Sequence, residues 1–102
     1  KIVGFEDMSN EIYIDPIEYR EEIKKRDLYL CQICIRELYN TIVKYNSKDL
    51  SVHHNIPIAE DYDKRLDNTN LITLCSIHHE MCENNEISRE EIQQIINEQE
   101  NI

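Results

Sequence analysis

Four short motifs follow one another along this chain: Cys31-Gln-Ile-Cys34, Val52-His53-His54-Asn-Ile-Pro57, Asn70-Leu71 and Cys75-Ser-Ile-His78-His79. Together they collect three of the four cysteines and all four histidines. Cysteine and histidine are the preferred soft ligands of a divalent metal, and two residues between paired ligands is the usual zinc spacing. A tetrahedral ion takes four ligands, and this set holds more. The surplus implies two metal sites, and any fold of the chain must bring these separated segments together.

The rest of the composition agrees with a metal-stabilised domain. The 102 residues include no Trp and one Phe, and 40% are apolar, so a single small domain with a modest core is expected. A structural metal offsets such a core. Four cysteines could instead form a disulfide framework, but the interleaved histidines and the lack of a visible secretory signal favour a metal in a reducing, cytoplasmic setting. No apolar run is long enough to span a membrane, and there is no internal repeat. The net charge of −10 argues against nucleic acid wrapping the whole surface. The charge is uneven, however. Residues 80–102 carry one Arg against seven acids, whereas residues 28–59 hold three basic and two acidic side chains. The motif region is nearly neutral, and a bound cation would make it locally positive.

Local signals give a coarse order of elements. Residues 1–14 show no strong pattern and are expected to form an arm. Asp15-Pro16-Ile17-Glu18 is a helix start, with Asp15 as cap and Glu18 closing a capping box. It opens a helix over roughly 16–27, with Ile17, Ile23 and Leu28 as its apolar face. Cys31–Cys34 is expected to be a knuckle-like turn. Residues 38–46 are β-prone without a firm placement. Residues 50–56 alternate and end at Pro57, which predicts a short strand. Residues 59–69 are polar and predict a loop, 71–74 a second strand, and 76–84 a helix ended by Asn84-Asn85. Ser88-Arg-Glu-Glu91 is another capping box, opening a final helix over roughly 89–99 with Ile92, Ile95 and Ile96 inward.

The ligands then divide. Cys31 and Cys34 form one pair, and Cys75 and His78 the other, which suits zinc in a closed Cys3His tetrahedron. The plainer reading is buried free thiols, but a CxxC answered by a CxxH favours the metal. Cys82, one helical turn beyond His78, is read as a core thiol, with replacement of His78 as the alternative. Adjacent residues on a strand point to opposite faces. One of His53 and His54 can therefore bind a metal while the other faces a substrate water. On a helix, His78 and His79 diverge by about 100°, so His78 can turn to the cysteines and His79 towards His53. An open two-histidine site marks catalysis rather than structure.

Over roughly residues 24–84 the chain resembles the HNH endonuclease family. The matching stretches are Leu-Tyr-Leu-Cys-Gln-Ile-Cys, His-His-Asn-Ile-Pro, Asp-Asn-Thr-Asn-Leu-Ile-Thr-Leu-Cys and the final His-His. The resemblance implies an α+β, zinc-stabilised ββα-metal domain, here with flanking N- and C-terminal helices, the last over 88–100. It implies metal-dependent hydrolysis of DNA phosphodiester bonds. His54 would be the general base, His53 and His79 the ligands of a catalytic Mg2+, Mn2+, Ni2+ or Zn2+, and Asn70 would hold the loop and orient the His54 ring through a hydrogen bond. Two departures stand out. Many relatives close the structural zinc site with a second CxxC, where this chain has CxxH. Some place a third histidine where this chain has Glu83, which makes Glu83 a candidate third ligand or a solvated acid.

Other chemistries fit less well. A zinc deaminase needs His-x-Glu followed by Pro-Cys-x-x-Cys; His78-His79-Glu80 instead follows the CxxC. A HExxH protease needs histidine at position 83. A zinc-stabilised binding module with an inactive site remains the alternative to a nuclease. Lys24, Lys25 and Arg26 are read as a solvated helix face, with Lys44, Lys48, Lys64 and Arg65 better placed for a DNA backbone. Given the acidity, a partner or fused segment is expected to help target DNA. Phage, mobile-element and restriction roles share these motifs.

Overall fold

Two four-residue strands carry the centre of the molecule. β1 (Ser51–His54) pairs antiparallel with β2 (Leu71–Leu74), with Ser51 opposite Leu74, Val52 opposite Thr73, His53 opposite Ile72 and His54 opposite Leu71. Opposed residues share a face, so Ser51 and His53 lie with Ile72 and Leu74, and Val52 and His54 lie with Leu71 and Thr73. Every residue of β2 is buried, because both faces are covered. On one side Leu71 and Val52 pack with Ile23 of α1 (Ile17–Arg26). On the other, Ile72 and Leu74 join Cys31, Ile33, Cys34, Cys75 and the isoleucines of α3 (Arg89–Glu100). α2 (Ser76–Glu83) follows β2 directly.

The computed structural model describes residues 16–101. The expected arm over 1–14 and the Asp15 cap lie outside them. Within them the chain is α+β, with three α-helices and one two-stranded sheet. Among the described residues no helix is long and apolar enough to cross a membrane.

Helix ends follow the expected chemistry. The Ser88 hydroxyl accepts the Glu91 backbone N–H at 3.1 Å, and Ile92, Ile95 and Ile96 are buried. At the end of α2 the Asn85 and Glu86 N–H groups return to the Cys82 and Met81 carbonyls, with Asn85 left-handed at φ 62°. The loop over 55–70 contains two short 3-10 turns, Tyr62–Lys64 and Asn68–Asn70, each capped by an aspartate, Asp61 and Asp67.

The structure departs from, or settles, three local readings. Ile17 and Leu28 do not share the buried face of α1: they are 68% and 73% exposed, and Ile23 alone is buried. The helix stops at Arg26, and Leu28 and Tyr29 turn left-handed at φ 60° and 56°, closing on the Lys25 and Lys24 carbonyls. Residues 38–46 form no strand. Tyr39 and Asn40 are left-handed at φ 51° and 59°, and Ile42 is 89% exposed. The backbone there serves the cysteine cluster instead, since Cys31 N–H donates to the Asn46 carbonyl at 3.0 Å. Finally, Arg26 is not part of a solvated face. It grips the fully buried Asp27 through Nε at 2.8 Å and Nη2 at 3.0 Å, and donates to the Leu71 carbonyl and to Glu100. Asp27 also accepts the Thr73 N–H at 2.9 Å and Gln99 Nε2 at 3.1 Å. One carboxylate thus ties α1 to β2 and α3.

Candidate functional site

The knuckle turn supplies Cys31 and Cys34, the residue after β2 supplies Cys75, and the first turn of α2 supplies His78. All four are buried. His78 Nδ1 lies 3.5 Å from Cys31 Sγ, 3.5 Å from Cys34 Sγ and 3.4 Å from Cys75 Sγ, and the Cys34 and Cys75 sulfurs are 3.9 Å apart. Zinc bonds of about 2.3 Å to sulfur and about 2.0 Å to nitrogen give tetrahedral edges of about 3.8 Å and about 3.5 Å. The cluster has those dimensions and can hold a structural ion such as zinc. His78 Nε2 lies 3.1 Å from the Tyr39 carbonyl, so it carries the proton and leaves Nδ1 to ligate. None of the cysteines is in a disulfide. Burial pushes the Cys31 thiol up to about 12 and raises Cys34, so an ion is what would make thiolates favourable there. Cys82 stays outside the cluster, packed against the core, with burial and then Glu83 and Glu91 pushing its thiol up to about 12.

A second group forms at the edge of the sheet. His53 of β1 and His79 of α2 meet with ring centroids 4.9 Å apart and planes at 71°. Glu83, one turn beyond His79, places Oε2 3.4 Å from His79 Nε2 and 3.8 Å from His53 Nδ1. One donor atom from each of the three lies within 4.8 Å of the others. His53 is 7% exposed, and its buried Nδ1 has no hydrogen-bond partner among the described residues. Burial, then the charges of His79, His54 and Arg89, pushes the His53 pKa down to about 4. Its ring is therefore neutral at pH 7, with a desolvated nitrogen facing a carboxylate across a gap too long for a hydrogen bond. The three donor atoms lie close enough together that they could hold a metal ion. Glu83 is 63% exposed, so the group is open on one side, unlike the cysteine cluster.

The adjacent histidines divide as strand and helix geometry require. His78 faces the cysteines and His79 faces His53. His54 leaves the opposite face of β1 and sets Nε2 3.2 Å from the Arg65 carbonyl. His53, His54, His79, Glu83 and Arg89 nevertheless line one cavity of about 310 Å3.

Asn70 is buried and holds the loop, but its amide does not bond the His54 ring as expected. Oδ1 accepts the Ile56 N–H at 2.7 Å, while Nδ2 donates to the Ile56 carbonyl at 3.1 Å and the Lys64 carbonyl at 3.2 Å. Those bonds use both Nδ2 protons and one of the two acceptor positions of Oδ1. Asn70 holds the Lys64 carbonyl, one residue before the Arg65 carbonyl that lies beside His54. Of the basic residues expected at a DNA backbone, Arg65 stacks on Tyr62, with Cζ 3.8 Å from the ring centroid.

Sequence reasoning missed Ser51, whose hydroxyl lies 2.6 Å from His79 Nδ1, and Arg89, which lines the cavity and pairs with Glu60 at 2.8 Å. Ser51 carried a signal, since a residue two before His53 on a strand shares its face. Arg89 carried none beyond its place in the capping box. No family model, curated protein or solved structure matches this chain.

Proposed function

We propose that this chain is a metal-dependent HNH endonuclease that hydrolyses DNA phosphodiester bonds. The observation that carries the reading is the pairing of an open His53–His79–Glu83 group with His54 on the wall of the same cavity. The strand–strand–helix order β1, β2, α2 around that group, beside a closed Cys3His cluster, supports assignment to the ββα-metal fold.

Two imidazoles and a carboxylate suit a hydrolytic divalent metal such as Zn2+, Mg2+, Mn2+ or Ni2+. A cation held there supplies Lewis-acid stabilisation of the charge developing on the phosphate and the leaving oxygen. His53 and Glu83 face the gap, and His79 closes it from the helix. His54 is the general base. With its Nε2–H donated to the Arg65 carbonyl, the imidazole carries its lone pair on Nδ1, the nitrogen that takes the water proton. Asn70 positions that carbonyl through Lys64. The acidity of the chain limits non-specific DNA affinity, so a partner or fused segment supplies targeting and cleavage is strongest at low salt. Three buried cysteines in a metal-sized cluster accord with a reducing compartment, which we take to be the cytoplasm.

The test is plasmid nicking at low salt across Mg2+, Mn2+, Ni2+ and Zn2+, beside metal titration by calorimetry. His54→Ala is expected to keep both metal sites and lose about 10²–10⁴-fold in cleavage, the usual contribution of a positioned base. His79→Ala is expected to lose the second metal together with activity. If His54→Ala abolishes metal binding and His53→Ala does not, the two roles are reversed. Metal binding with no cleavage under any condition leaves the chain a zinc-stabilised binding module.

A further inference from the structure

Ser51 opens β1 and lies on the same face as His53, two residues away. Its hydroxyl oxygen is 2.6 Å from His79 Nδ1. The other ring nitrogen of His79, Nε2, is 3.4 Å from Glu83 Oε2. Among the described residues the ring therefore contacts two members of its own donor group, His53 and Glu83, and one side chain outside it, Ser51. The neighbouring histidine is arranged the opposite way. His78 presents Nδ1 to the sulfurs and is held at Nε2 by the Tyr39 carbonyl, which can only accept. A serine hydroxyl can both donate and accept.

That difference has a consequence. Without a cation, the Glu83 carboxylate beside Nε2 favours the tautomer with the proton on Nε2, and the Ser51 hydroxyl then donates to Nδ1. With a cation in the His53–His79–Glu83 group, Nε2 must offer its lone pair, so the proton belongs on Nδ1 and Ser51 must accept it. We propose that Ser51 is a positioning residue that holds the His79 ring through both states and lets its tautomer switch when the metal enters. The switch balances: one proton leaves Nε2, one is taken up at Nδ1 through solvent, and the hydroxyl rotates from donor to acceptor. His79 also borders a second, more open cavity shared with Ser51, Asp49, Ser76, Glu80 and Glu83, so solvent reaches the exchange. The inference rests on the metal-site reading above and not on nuclease chemistry.

The test uses the full 15N-labelled chain with one equivalent of Zn2+ filling the cysteine cluster. Long-range 1H–15N correlation assigns the His79 tautomer before and after a second equivalent of Zn2+. The expected result is Nε2–H before and Nδ1–H after. Calorimetry of the second equivalent is expected to show Ser51→Ala binding about 10–100-fold more weakly, the usual cost of losing a partner behind a ligating histidine. Ser51→Thr should bind within a few-fold of the original chain, and the first zinc should be unaffected in both. Wild-type binding strength in Ser51→Ala, or the Nδ1–H tautomer already fixed before the second equivalent, overturns the proposal. The tautomer measurement on the unaltered chain stands even where Ser51→Ala does not fold. No second-equivalent binding by the unaltered chain overturns the metal-site reading itself, and this proposal with it.

Discussion

Replacing Asn70 separates a direct role at His54 from a role through the backbone. The side chain is buried and makes three hydrogen bonds among the described residues. In Asn70→Ala the Ile56 N–H loses its acceptor, a cost of about 1–3 kcal/mol for a buried donor left unpaired. The two bonds from Nδ2 each contribute about 0.5–1.5 kcal/mol, and their carbonyls can partly recover through water. Together the loss is about 2–4 kcal/mol. Asn70→Asp is the sharper variant. One carboxylate oxygen can still accept from Ile56 N–H, but the other would face the Ile56 and Lys64 carbonyls, acceptor against acceptor, with a charge in a buried position. Its cost should equal or exceed that of alanine. A direct bond to His54 predicts the reverse, because an aspartate there would hold the imidazole proton at least as well as an amide. Urea unfolding with zinc saturating, followed by nicking well below each variant's transition, measures both quantities. Both variants should be destabilised, and both should nick more slowly because the Arg65 carbonyl is no longer fixed. An Asn70→Asp protein as stable and active as the original would refute the reasoning.

Two further outcomes follow from the fold. Cys31→Ser should release a zinc bound at the cluster and lower the melting temperature, because burial raises the Cys31 and Cys34 thiols and a bound ion offsets the cost of their thiolates; full zinc content by elemental analysis together with unchanged melting would contradict the cluster. Asp27→Ala leaves Arg26, Gln99 Nε2 and the Thr73 N–H without their shared acceptor, and should cost about 3–5 kcal/mol, as for other broken buried ion pairs. A urea-derived loss below about 1 kcal/mol would show that the network is dispensable.

What the sequence determined is mostly what a few neighbouring residues decide among themselves. Two residues between Cys31 and Cys34, and between Cys75 and His78, bring each pair onto one side of a turn whatever lies around them. The alternation of β1 sends His53 and His54 apart, and the helical step of α2 does the same for His78 and His79. Ser88 caps α3 because its hydroxyl reaches an N–H three residues on. Tertiary structure decided the rest. For three of the histidines, the nitrogen that faces the site depends on the group behind the ring: the Tyr39 carbonyl for His78, the Arg65 carbonyl for His54 and the Ser51 hydroxyl for His79. The β-prone run over 38–46 forms no strand: Tyr39 and Asn40 are left-handed, and the Tyr39 and Asn46 carbonyls accept from His78 and the Cys31 N–H. Asn70 went to Ile56 and Lys64, not to the His54 ring, and Arg26 turned inward to Asp27. For His78 and His79 the partners, Tyr39 and Ser51, lie 39 and 28 residues away, and Arg26 also reaches Leu71 and Glu100, 45 and 74 residues on, so only the folded chain brings these groups within hydrogen-bond range. Ligand type and spacing are local chemistry; the choice of donor atom and of the group that holds it is set by which distant backbone the folded core leaves facing it.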